Sequence, residues 1–138
     1  MSDTQGRIAR LVKPIFNEYQ QKMIPADKKQ LEIFRNNATK RSIPPHVIDQ
    51  LIEFYSISNG VPCFDGFDFH QCDDEIIFEW WESDQSLWLA SRGDDVLRWA
   101  DDKFCLGDAS NVSYGTKYEF ALLIALLEFA FNYWYPAV

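Results

Sequence analysis

Residues 43–60 read IPPHVIDQLIEFYSISNG, and this stretch carries the clearest structural signal in the chain. Pro44 and Pro45 stand where the first turn of a helix tolerates proline, because the missing N–H has no partner there in any case. Asn59-Gly60 is a typical left-handed stop after a helix. Between these signals the apolar residues recur with a helical period, which predicts one buried face made of Val47, Ile48, Leu51, Ile52 and Tyr55.

Upstream, the first 20 residues predict an amino-terminal helix. Asp3 or Thr4 can cap its start. Pro14 predicts a kink or a restart, because proline lacks the amide donor and clashes with the preceding turn. The apolar positions at helical spacing are Ile8, Leu11, Ile15 and Tyr19.

A second, shorter helix is predicted from Pro25, with Leu31 and Phe34 facing inward. The polar residues 36–42 follow it and predict a loop that leads into the helix after Pro44. The amino-terminal part of the chain is therefore predicted to be helical.

From Val61 to Leu106 the period changes to two. Short β-branched or aromatic runs alternate with turn residues, and links of this length join neighbouring antiparallel strands. The sequence therefore predicts an antiparallel meander of about four to six strands, with one buried face and one partly wet face that still carries aromatic residues. The runs cover residues 76–81, 87–90, 96–99 and 103–106.

The last element is predicted to be a long hydrophobic helix over residues 118–134. Its most apolar part, FALLIALLEFAFNYWY at residues 120–135, carries Glu128 and Asn132 and is shorter than the roughly 20 residues of a membrane span. Helices and strands are segregated along the chain, so the predicted class is α+β. A length of 138 residues predicts one domain over residues 1–138.

Charge is distributed unevenly along the chain. The net charge is −8, but residues 1–60 carry +3 and residues 61–138 carry −11. Phosphate contacts need cationic side chains, so we expect neither nucleic acid nor an anionic membrane as a partner. A concentrated negative charge attracts cationic proteins and speeds their encounter.

Three cysteines at irregular spacing make a poor disulfide framework, and the start of the chain lacks a signal-peptide pattern, so a cytoplasmic location is expected. Zinc sites usually need paired ligands, and only His70 and Cys72 stand close together. We therefore predict no metal and no cofactor, and interpret Cys72 as a small buried residue.

Acidic pairs at residues 73–74, 94–95 and 101–102 allow two interpretations. They could serve as acid/base carboxylates or as metal ligands of a hydrolase. Aspartate in turns is ordinary, however, and no nucleophile elbow, phosphate loop or dinucleotide fingerprint accompanies the pairs.

Aromatic residues lie near these carboxylates in the sequence, and protein interfaces favour an aromatic centre with charge around it. An acidic, aromatic face therefore predicts binding of a basic protein. Ordinary core aromatics with a charged, soluble surface would give the same composition. The aromatic residues in question are Phe64, Phe67, Phe69, Trp80, Trp81 and Trp88.

The order of motifs resembles the SUKH superfamily, which contains the yeast cell-wall-assembly regulators and many bacterial immunity proteins. The resemblance rests on residues 43–47 leading into the helix, on Ser58-Asn59-Gly60, on the tryptophan-bearing strands, on residues 104–108 and on the closing hydrophobic helix. It covers residues 43–134. Residues 64–75 and 91–95 depart from the family pattern.

This resemblance implies a non-enzymatic α+β domain that binds a partner, typically a toxin and often a nuclease. No residue then needs a catalytic role, and the expected partner is a cognate basic toxin. Nucleases tend to be basic where they hold phosphate, and an acidic inhibitor complements that surface. The predicted partner contacts are Asp73, Asp74, Glu75, Glu79, Trp81, Glu82, Asp84, Asp94 and Asp95.

Two alternatives remain open from the sequence. One is a regulatory or scaffold module that binds peptides or forms a homodimer through Tyr133, Trp134 and Tyr135. The other is a hydrolase that uses the paired carboxylates with a divalent metal.

Overall fold

The computed structural model describes residues 1–108 and 116–135. Its helices are α1 (Asp3–Glu18), α2 (Lys28–Lys40), α3 (Pro45–Tyr55), the short α4 (Trp81–Asp84) and α5 (Leu123–Trp134), with a 3₁₀ helix at Glu75–Phe78. The strands are β1 (Val61–Phe64), β2 (Phe67–Phe69), β3 (Leu87–Arg92), β4 (Asp95–Ala100), β5 (Lys103–Asp108) and β6 (Thr116–Phe120).

All six strands form one antiparallel sheet in the order of the chain, β1 to β6. The α+β class, the amino-terminal helices, the meander and the carboxyl-terminal helix are therefore confirmed. Buried apolar side chains from α1, α2, α3 and α5 join those of the sheet in one hydrophobic cluster. No helix among the described residues is long and apolar enough to cross a membrane.

Helix α3 begins as predicted, but it ends at Tyr55 with Ser56 as its C-cap, before the predicted stop at Asn59-Gly60. Pro44 is the N-cap and Pro45 lies in the first turn, as the missing N–H allows. Gly60 has φ +82°, so it supplies the left-handed residue that redirects the chain into β1. The buried face consists of Val47, Ile48, Leu51, Phe54 and Tyr55.

The amino-terminal helices differ from the prediction at their ends. Ser2, rather than Asp3 or Thr4, caps α1 through a reciprocal capping box with Gln5. Helix α1 continues through Pro14 without a restart, because Ile15 and Phe16 beyond it are buried on the core face.

The second helix begins at Lys28 instead of Pro25, because Asp27 and Gln30 form a capping box. The loop predicted over residues 36–42 is wrong. Helix α2 runs to Lys40, since Ala38 is fully buried and packing holds the last turns in place.

Residues 76–81 do not form a strand. The side chain of Asp74 accepts a hydrogen bond from the backbone N–H of Ile76, at 3.0 Å, and this cap starts a helical turn. The consecutive residues Ile77 and Phe78 are buried, whereas a strand would bury alternate residues.

The stretch that departed from the family pattern contains the β1–β2 hairpin. Its turn is Asp65-Gly66, both with positive φ, which is the geometry that Asp-Gly favours in a two-residue hairpin. Residues 118–120 belong to β6 instead of the last helix, because they pair with β5 from Leu106 to Phe104. Helix α5 therefore begins only at Leu123.

Candidate functional site

A continuous acidic segment, residues 73–84, connects β2 to β3. It contains six carboxylates and no basic residue. Asp73 is half-buried, and the remaining five are exposed at the surface: Asp74, Glu75, Glu79, Glu82 and Asp84.

The start of the acidic segment is fixed to the helical layer. Asp73 accepts hydrogen bonds from Gln30 Nε2 at 3.3 Å and from Asn59 Nδ2 at 3.4 Å. Asn59 also accepts from the backbone N–H of Cys72, and the buried Tyr55 hydroxyl donates to the carbonyl of His70 at 2.8 Å. These four contacts fix the start of the acidic segment in the unbound protein.

The middle of the segment is anchored by side chains that point inward. Ile77 and Phe78 belong to the hydrophobic cluster, and the Arg41 guanidinium lies 4.2 Å from the centre of the Phe78 ring. A short rigid turn with its apolar side buried therefore presents its carboxylates outward.

The end of the segment is tied to the sheet. Asp84 accepts from the backbone N–H of Ser86 at 3.1 Å and lies 3.5 Å from Nη1 of the buried Arg98. Asp84 is therefore engaged within the protein, and the exposed carboxylates with more freedom are those between Asp74 and Glu82.

Two of the predicted contacts lie elsewhere. In the β3–β4 register, Asp95 lies opposite Arg92, the last residue of β3. Strand β3 has six residues at about 3.3 Å each, so Asp94 and Asp95 lie roughly 17 Å from the acidic segment. Trp134 Nε1 donates to Asp95 at 2.8 Å, and Arg92 pairs with Asp65 at 3.3 Å. The nine predicted residues thus form a group of seven and a separate pair.

Trp80 and Trp81 lie in the middle of the acidic segment, and both are half-buried. Trp81 packs against the hydrophobic cluster. Trp80 stacks on Trp88 of β3 with centroids 4.4 Å apart, and the His70 ring meets Trp88 edge-on at 4.7 Å. The strand predicted at residues 76–81 would place the two tryptophans on opposite faces, whereas the structure has Trp80 in a turn and Trp81 at the start of α4.

The other aromatic residues near the carboxylates in sequence belong to the interior. Phe67 and Phe69 are fully buried in the cluster. Phe64 packs against Phe16 and stacks on Tyr19 with centroids 4.7 Å apart. For Phe67 and Phe69 the core interpretation is therefore the correct one.

Burial sets the protonation of the residues behind the acidic segment. It lowers the pKa of His70, which is 7% exposed, although Asp68, Asp74 and Glu79 oppose that shift. Burial raises the pKa of the Cys72 thiol to about 12, with the Asp73 carboxylate adding to the effect. A thiol in this state is protonated at neutral pH and is a poor nucleophile.

Within residues 1–108 and 116–135, no group of three or more histidine, cysteine or acidic side chains could hold a metal ion. Five of the six carboxylates of the acidic segment are exposed at the surface, where they can attract a cationic surface over a distance.

Comparisons with known protein families, with curated proteins and with solved structures find no match for this chain. The resemblance to the SUKH superfamily therefore stays a prediction from the sequence.

Proposed function

We propose that this protein is a non-enzymatic binding protein, and that it acts as an immunity protein that neutralises a cognate basic toxin. The observation that supports this most is the acidic segment: five exposed carboxylates without a basic neighbour in the segment, on a turn fixed at both ends. The order of sequence motifs, which resembles the SUKH superfamily, points the same way.

The negative charge of the acidic segment complements the surface of a toxin that acts on nucleic acid. An enzyme that holds phosphate needs clustered lysine and arginine, and a rigid row of carboxylates can occupy the same surface. Complementary charge raises the association rate, and the Trp80–Trp88 stack offers apolar area beside the charge.

Reversing the charge of the acidic segment should abolish tight binding. We expect the triple variant Glu75→Lys, Glu79→Lys, Glu82→Lys to bind the basic protein encoded by the neighbouring gene at least about 100-fold more weakly, because each reversal replaces attraction by repulsion. The loss should fall mainly on the association rate, and the remaining affinity should depend less on salt. Surface plasmon resonance over a series of NaCl concentrations measures both.

The matched control is Glu18→Lys, Glu32→Lys, Asp49→Lys, which makes the same change of net charge on exposed positions of α1, α2 and α3. It should keep most of the affinity. An equal loss in both triple variants would show that net charge alone matters and would contradict a localised site. Failure of the native chain to bind a basic neighbour would contradict the proposed function.

A second candidate function is self-association, for which a different surface gives support. Tyr118, Leu122 and Tyr133 are 39%, 53% and 50% exposed, and the rings of Tyr118 and Phe129 lie 4.5 Å apart beside the edge strand β6. Among the described residues β6 pairs with β5 alone, and an unpaired strand edge next to an apolar patch favours pairing with another strand. The predicted triplet at residues 133–135 is not one surface, since Trp134 is 8% exposed and bonds to Asp95.

Light scattering after size-exclusion chromatography tests this candidate. A homodimer through this patch would give twice the chain mass of 16.1 kDa, and the double variant Tyr118→Ser, Tyr133→Ser should return it to one chain mass. A native chain that stays monomeric at every loading concentration would remove the candidate.

A further inference from the structure

A cavity of about 270 Å³ lies beside the acidic segment, where residues 19–27 between α1 and α2 meet β1 and Asn59-Gly60. Pockets for small-molecule ligands usually measure roughly 300–1,000 Å³, so this one suits a single side chain better than a cofactor. Its apolar lining comes from Phe16, Ile24, Pro25, Pro62 and Phe64.

Three polar residues of the lining, Gln30, Ser58 and Asn59, make side-chain hydrogen bonds within the protein. The Gln30 side chain accepts a hydrogen bond from the backbone N–H of Asp27 at 2.9 Å and donates one to Asp73. The Asn59 side chain accepts from the backbone N–H of Cys72 and donates to Asp73. Ser58 Oγ donates to the carbonyl of Gly60 at 2.7 Å. The side of the cavity that these three residues form therefore needs no hydrogen bond from a guest, and an apolar group suits it.

The lining of the cavity includes an exposed aliphatic side chain. Ile24 is 66% exposed, and its carbonyl accepts from the backbone N–H of Asn59 at 2.8 Å, so the residue is held in place. The Tyr19 ring supports the opposite wall by stacking on Phe64. An exposed isoleucine held beside a small cavity is typical of an interface site that receives one side chain of a partner protein.

Charge around the cavity defines what it would accept. Asp73 is bonded to two of the lining residues, Asp27 caps the helix that contributes Gln30, and Asp74 follows in the acidic segment. Lys22 is the one cation among the lining residues. Carboxylates thus dominate the side toward the acidic segment, and a cationic neighbour of the guest would lie there.

We propose that this cavity receives one aromatic or large aliphatic side chain of a basic partner, flanked by a lysine or arginine residue that meets the exposed Asp74. The proposal rests on the proposed function, whose partner it describes further. The cavity supplies the apolar anchor, and the acidic segment supplies the attraction.

Three capped heptapeptides serve as probes: KKGFGKK, KKGAGKK and EEGFGEE. In ¹H–¹⁵N titrations, KKGFGKK should shift the amide signals of Ile24 and Gly60 and bind roughly tenfold more tightly than KKGAGKK, which lacks the apolar area of the phenyl ring. EEGFGEE should bind most weakly.

The variant Ile24→Ala should lower the affinity for KKGFGKK several-fold, while Ile33→Ala should leave that affinity unchanged. Ile33, on α2, is 37% exposed and does not line the cavity.

Equal affinity for KKGFGKK and KKGAGKK, or equal effects of the two isoleucine variants, would overturn the anchor site. Equal affinity for KKGFGKK and EEGFGEE would overturn the basic character of the guest. Neither result touches the proposed function, which is judged on the basic protein encoded by the neighbouring gene and on the charge-reversal variants.

Discussion

Phe54→Ala is expected to lower the free energy of unfolding by about 3–5 kcal/mol, a large part of the roughly 5–15 kcal/mol that stabilises a domain. Phe54 is fully buried, and its ring stacks on Phe69 of β2 with centroids 4.1 Å apart. Its ring also meets Tyr55 edge-on at 5.5 Å. Removal of the ring leaves a cavity between α3 and the sheet that rigid neighbours cannot fill.

Urea unfolding followed by tryptophan fluorescence measures this loss. The control is Phe54→Leu, which keeps an apolar side chain of intermediate size and should lose clearly less. An alanine variant that unfolds within about 1 kcal/mol of the native chain would contradict a tightly packed contact at this position. An unchanged m-value would show that the variant still unfolds from a compact native state.

Gly60→Ala is expected to cost about 2–5 kcal/mol, from two separate causes. At φ +82° a residue with a Cβ is strained by about 1–2 kcal/mol. The new Cβ would also lie 2.4 Å from the carbonyl oxygen of Phe69 and 3.1 Å from the backbone N of Gln71, so backbone has to move at a further cost of about 1–3 kcal/mol.

Gly66→Ala separates the two causes. Gly66 has φ +77°, but a Cβ there meets no atom within 4 Å, so only the backbone strain remains. The difference between the two variants in thermal or urea unfolding therefore measures the close approach of residue 60 to β2. If both lost the same stability, the close packing at Gly60 would be disproved.

The Gly60 variant also bears on the candidate site. Asn59, the neighbouring residue, holds both Cys72 and Asp73, so a shifted backbone at residue 60 should loosen the start of the acidic segment. We expect weaker partner binding than the loss of stability alone would give, measured at a temperature where the variant is fully folded.

Local signals were sufficient for much of the fold. The prolines define the start of α3, and β3, β4 and β5 follow from period-two runs separated by short turns. Asp65-Gly66 is also a hairpin signal, although the predicted strand runs do not include the residues on either side of it.

Segments with conflicting local signals were predicted wrongly. Residues 76–81 have β-branched and aromatic side chains, yet the Asp74 cap and the burial of two consecutive residues make them helical. Residues 118–120 continue a helical pattern of apolar residues, yet pairing with β5 makes them a strand. In both cases tertiary contacts outweigh weak local preferences.

Composition and order along the chain are local properties, and from them alone follow the α+β class, the concentration of negative charge after residue 60 and the helix that begins at Pro45. Which carboxylates act together is a question of distance. Strand β3 separates Asp94 and Asp95 from the acidic segment, and the contacts of Asp73 with Gln30 and Asn59 bring that segment beside the cavity. Both results depend on residues far apart in sequence, because electrostatic and packing energies depend on distances in space.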